Sequence, residues 1–65
     1  MNIDQIRNRV RHIDNLRRDD EAAHSEEDTL YTDVLEAIAD GAPNAAALAE
    51  EALRTKNIDF ARWCA

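Results

Sequence analysis

Asp20, His24 and Glu27 stand four and then three residues apart within DDEAAHSEED, residues 19–28, which packs six acids and one histidine into ten positions. On a helix the spacings i, i+4 and i+7 share one face, so these side chains can offer two carboxylates and an imidazole to a divalent cation. The same residue types also serve as helix caps and ion pairs, and helical metal centres usually draw their ligands from several helices. The other histidine, His12, falls well off the apolar arc of its own segment. A second candidate is the arginine group Arg7, Arg11 and Arg18, which sits near Asp14 and reads either as an anion- or DNA-docking face or as an ordinary solvated one. Cys64 is the sole thiol, one residue from the chain end, with no identifiable catalytic base beside it. With no glycine-rich phosphate loop or other enzyme motif in view, no catalytic residue and no cofactor is assigned.

The elements that must position these residues are helices. Ala, Leu, Glu and Arg dominate, and the single glycine and single proline both fall within residues 41–43, which leaves almost no turn chemistry for hairpins. Ile3, Ile6, Val10, Ile13 and Leu16 lie within an arc of roughly 140° at 100° per residue, which predicts an amphipathic helix over residues 3–18. Leu30, Tyr31, Val34, Leu35 and Ile38 mark a second, ended by Gly41 as a left-handed cap and by Pro43. A third runs from Pro43 or Asn44 to about Lys56 with Leu48, Ala49, Ala52 and Leu53 inward. Asn57 or Asp59 then caps a last turn in IDFARWCA, whose Ile58, Phe60 and Trp63 form a lid on the bundle end.

The acidic stretch between the first two helices admits three readings. Ser25 can be an N-cap, with SEED as a variant capping box and Glu26, Glu27 and Asp28 complementing the helix dipole. Alternatively Asp19 or Asp20 is the cap and Glu21 lies in the first turn. In the third reading one helix runs unbroken from residue 3 to residue 40, and heptad positions continue through Arg17, Asp20, His24 and Glu27. Two such helices paired antiparallel would set Arg17 against Glu27 and Asp20 against His24 of a second copy. The reading adopted is the broken one: an all-α, single-domain chain over residues 1–65, a three-helix bundle with a short C-terminal helical turn.

Size and charge bound what such a bundle can do. A 65-residue domain buries only about 60% of the surface its unfolded chain exposes, and of the 29 hydrophobic residues 12 are alanine. Such scaffolds commonly add disulfides, a metal or a partner subunit. One cysteine forbids an internal disulfide and suits a reducing, cytoplasmic setting. Apolar runs are far too short to span a membrane. The formal net charge of -6 argues against a general nucleic-acid binder. It is unevenly placed: residues 1–18 carry five arginines against two aspartates, a net of +3, while residues 19–65 carry -9. That asymmetry implies that one part of the chain lies against the other, within a molecule or between two copies.

The run DDEAAHSEEDTLYTDVLEAIADG with the tail IDFARWCA resembles a group of short acidic helical proteins of actinobacteria and their phages. No activity comes with that resemblance; it implies a small helical intracellular protein of mobile-element origin. Together these readings point to a non-enzymatic protein-interaction or regulatory module, binding another protein or itself as a homodimer. The alternative is a helical metal-binding protein using Asp20, His24 and Glu27.

Overall fold

Asn2 starts the first helix. Its side chain accepts the Gln5 backbone N–H at 2.9 Å while the Gln5 side chain accepts the Asn2 N–H at 2.9 Å, a reciprocal capping box. In the computed structural model, which describes residues 1–62, three α-helices follow: α1 (Ile3–Asn15), α2 (Asp20–Ala39) and α3 (Ala45–Ala52). A 3-10 segment, Leu53–Asn57, continues α3, and residues 58–62 leave it in irregular backbone. No strand occurs among the described residues. The architecture is therefore the all-helical bundle that the periodicity predicts.

The chain breaks between α1 and α2 without glycine or proline. Leu16 ends α1 with its N–H shared between the His12 and Ile13 carbonyls, and the Asp19 N–H closes a turn onto Leu16 at 2.8 Å. Asp19 is then in extended backbone, and its carboxylate accepts the Ala22 N–H at 3.1 Å, satisfying one of the orphan donors of α2. This start corrects two of the three sequence readings. Ser25 lies exposed inside α2, its carbonyl accepting the Thr29 hydroxyl, so it caps nothing. The unbroken helix over residues 3–40 is also absent, and Arg17 pairs with Asp14 of its own turn at 3.0 Å.

Gly41 ends α2 as expected, and the reason is visible. With φ at 95° it adopts the left-handed conformation, which lets the Ala42 N–H reach the Ala37 carbonyl and the Gly41 N–H reach the Ile38 carbonyl. That is a Schellman motif, with Pro43 just beyond it to prevent continuation. Asn44 opens α3 without a side-chain cap.

Ile6, Ile13, Leu30 and Leu48 are each at most 1% exposed and form the centre of the core with Ala23, Val34, Ala52 and Phe60. Each large aliphatic contributes about 1.5–3 kcal/mol through burial. The buried alanines leave room for close helix approach. The short C-terminal helical turn is present, but as the 3-10 segment Leu53–Asn57, earlier than expected. The third helix tightens into 3-10 geometry at Leu53, and no helical turn forms over residues 58–62 because Ile58 already has extended dihedrals. Leu53 is exposed where an inward side chain is predicted. Ile58 and Phe60 nevertheless pack on the core as a non-helical cover; Trp63 and Cys64 lie outside the described residues.

Two arginines of the basic segment meet acids of the later segment within the chain. Arg9 of α1 pairs with Asp33 of α2 at 2.7 Å, and Arg7 of α1 with Glu51 of α3 at 3.1 Å. Part of the basic first segment thus lies on the acidic remainder. No helix among the described residues is long and apolar enough to cross a membrane.

Candidate functional site

The acidic stretch occupies the first two turns of α2 and part of the third, and the structure gives each of its candidate ligands a local task. Asp20 accepts the backbone N–H of Ala61 through Oδ1 at 3.1 Å, which ties the C-terminal segment to the start of α2. His24 places Nε2 3.4 Å from Asp28 Oδ1, while its Nδ1 is buried without a hydrogen-bond partner among the described residues. Glu27 is 3% exposed and receives Arg62 in a two-pronged contact: Nε to Oε1 and Nη2 to Oε2, both 2.9 Å. Both carboxylates are thus engaged by the chain itself. Among the described residues, no group of three or more His, Cys, Asp or Glu side chains is arranged to hold a metal ion.

Arg62 is the centre of this arrangement. Besides Glu27 it donates to the carbonyls of Thr55, Ile58 and Phe60, and its guanidinium lies 3.8 Å from the Phe60 ring centroid. Five donors in a planar fork make this possible where lysine would offer a single point of charge. Burial pushes the Glu27 carboxyl up, but hydrogen bonds from Arg62 and Thr55, with the charges of Arg62 and His24, outweigh it and hold the group below its ordinary value. Beside this pair the Tyr31 and Thr55 hydroxyls share a hydrogen bond in which either can donate. The hydrogen bonding to Glu27 likewise raises the Arg62 pKa. The result is a latch that closes the tail over α2, with the Glu27 carboxylate and the Arg62 guanidinium both hydrogen-bonded.

A different surface is left open. Tyr31, Val34, Leu35 and Ile38 of α2 face Ala49 and Ala52 of α3 and Leu53 just beyond it across a groove of about 300 Å³. Among the described residues, no charged one lines it. Its form follows from sequence: small alanines on α3 leave a trough that the larger α2 side chains only partly fill, and Leu35 and Leu53 stand as ridges, 66% and 51% exposed. Helical spacing puts the exposed Asp28 two turns before Leu35 and the exposed Glu50 one turn before Leu53, with Lys56 one turn after it. The groove therefore has an apolar floor and a rim on which acids outnumber bases.

Sequence reasoning names Leu35 and Leu53 as core, and misses the latch altogether. Of the arginines it singles out, Arg7 and Arg11 border one cleft and Arg18 lies outside it. Arg7 is held on Glu51, Arg11 contacts Asn8 Oδ1 at 3.4 Å, and Arg18 is exposed at the end of the first helical segment. Comparison of the chain with protein-family models, with curated proteins and with solved structures finds no match.

Proposed function

We propose that this chain is a non-enzymatic interaction module whose working surface is the groove between α2 and α3, and whose ligand is an amphipathic helix with basic flanks on another protein. The observation that carries the reading is the pair of exposed leucines, Leu35 and Leu53, bordering one uncharged trough. Single exposed apolar side chains are ordinary, but two that flank a shared apolar floor favour a covering partner. Tyr31 to Ile38 covers two helical turns, about 10 Å at 1.5 Å per residue, which matches the apolar stripe of a helix docked by residues at i, i+3 or i+4, and i+7. Asp28 and Glu50 on the rim and the -6 net charge favour Lys or Arg beside that stripe. Each apolar anchor is worth about 1.5–3 kcal/mol, and association costs offset much of the sum, so micromolar affinity is expected. The supporting contrast is the latch, where the buried polar groups are spent on one another.

A displayed library of helical peptides, selected on the wild-type protein and counter-screened on a Leu35→Asp/Leu53→Asp variant, tests the reading. Enrichment of basic amphipathic sequences that lose at least tenfold in affinity for the variant is the expected result. No enrichment, or peptides that bind both proteins equally, would overturn it. Sedimentation of the two proteins supplies the other arm: a wild-type dimer that the double substitution dissolves assigns the groove to a second copy instead.

A further inference from the structure

On the other side of α3, an open cleft of about 710 Å³ lies between α1 and the 3-10 segment. We infer that this cleft binds a phosphate group. Arg7, Arg11 and Arg17 from the first helical segment meet Arg54 there, above the apolar side chains of Val10 and Ile58. Arg7, Arg11 and Arg17 are close in the chain, and the fold brings Arg54 to them. Four guanidinium groups face three carboxylates, those of Asp14, Glu51 and Asp59, which leaves a local charge of +1 on a molecule whose net charge is -6.

The geometry of Glu51 makes the cleft more than a solvated patch. Its side chain is only 11% exposed, and its single oxygen Oε1 takes Nε of Arg7 at 3.1 Å and Nε of Arg54 at 3.2 Å. One largely buried carboxylate thus lies between two guanidinium groups, hydrogen-bonded to Arg7 and ion-paired with Arg54. The side chain of Arg54 is 62% exposed and that of Arg7 is 56% exposed, and Arg7 Nη1 comes no nearer to Asp4 than 4.0 Å. Arg11, one helical turn after Arg7, touches only the neutral Asn8 amide. Arg17 is committed to Asp14 at 3.0 Å. The cleft therefore presents guanidinium groups from Arg7, Arg11 and Arg54, two of them paired with Glu51.

Planar guanidinium forks converging from different elements suit a tetrahedral dianion, which offers three acceptor oxygens, better than a planar carboxylate, which offers two. The same chemistry is carried by free phosphate and by a phosphorylated side chain. This inference is independent of the groove on the opposite side of α3, so either can fail alone.

The experiment is a nuclear magnetic resonance titration of the full chain at constant ionic strength, following backbone amides and arginine Nε–H signals, with inorganic phosphate in one arm and a short phosphoserine peptide in the other. Saturable shifts at Arg11, Arg54 and Asn57 are expected, with chloride producing none. Arg11→Gln and Arg54→Gln should each weaken binding about tenfold, while Arg18→Gln, a charge removed outside the cleft, should leave it unchanged. A peptide that binds at least tenfold tighter than inorganic phosphate identifies a phosphorylated protein as the source; equal binding identifies free phosphate. Shifts that never saturate, that chloride reproduces, or that Arg18→Gln reduces as much as Arg54→Gln does would show diffuse surface charge and overturn the inference.

Discussion

Glu27 and Arg62 form the interaction on which the C-terminal segment turns. A buried carboxylate without its partner is costly, whereas the Arg62 side chain, 35% exposed, can return to water if the acid is removed. Glu27→Gln should therefore destabilise by about 2 kcal/mol, below the 3–5 kcal/mol seen when a fully enclosed pair is broken. In a domain of this size that lowers Tm by about 10 °C. The pH dependence has a definite sign. The folded carboxyl titrates below its unfolded value of about 4.3, so the pair contributes fully above that value and its contribution disappears as pH falls through the depressed folded value. Thermal melts of wild type and Glu27→Gln at pH 7 and pH 3 check this: the gap between the two proteins should narrow in acid. A gap that stays constant or widens would mean that Glu27 contributes by packing and not by charge.

The helices themselves were legible from the chain because each carries its periodicity locally. Ile3 to Leu16 needs no information from elsewhere to face inward, and Gly41 with Pro43 encodes a stop that the Schellman hydrogen bonds realise. The start of α2 was not so determined. Asp19 and Ser25 are both sound caps by residue type, and the choice between them lies in tertiary context: beginning at Asp20 buries Ala23 and Glu27 and brings Asp20 to the Ala61 amide. Asp19→Ala should then cost about 1 kcal/mol, and Ser25→Ala, in an exposed helix interior, should be neutral or stabilise by a few tenths of a kcal/mol. Urea denaturation of the two variants decides, and the reverse order would return the cap to Ser25. The site was hidden for a related reason. Arg62 and Glu27 are 35 residues apart, and no local pattern announces that the tail comes back. Leu35 and Leu53 look like core on a helical wheel, because a wheel does not show that a short, alanine-rich α3 leaves one edge of α2 uncovered.

At the scale of the whole molecule, the question is how a chain this short holds together with neither an internal disulfide nor long helices throughout. A domain of this size has roughly 3–10 kcal/mol of net stability. The three helices supply most of the buried aliphatic side chains, yet Phe60, 8% exposed, joins the core from a segment with no regular structure. That segment is held at its far end, by Asp20 to the Ala61 amide and by Arg62 to Glu27 and the Thr55 carbonyl. The tail therefore belongs to the same cooperative unit as the helices. Phe60→Ala should cost about 3 kcal/mol, the lower end for a buried aromatic because a terminal segment can collapse into the space left behind. The midpoint in urea should fall by a third or more while the slope of the transition stays unchanged. A separate early transition confined to the tail, or a midpoint equal to that of wild type, would show that the helices stand without it, and the latch would then be an ornament on a bundle already complete.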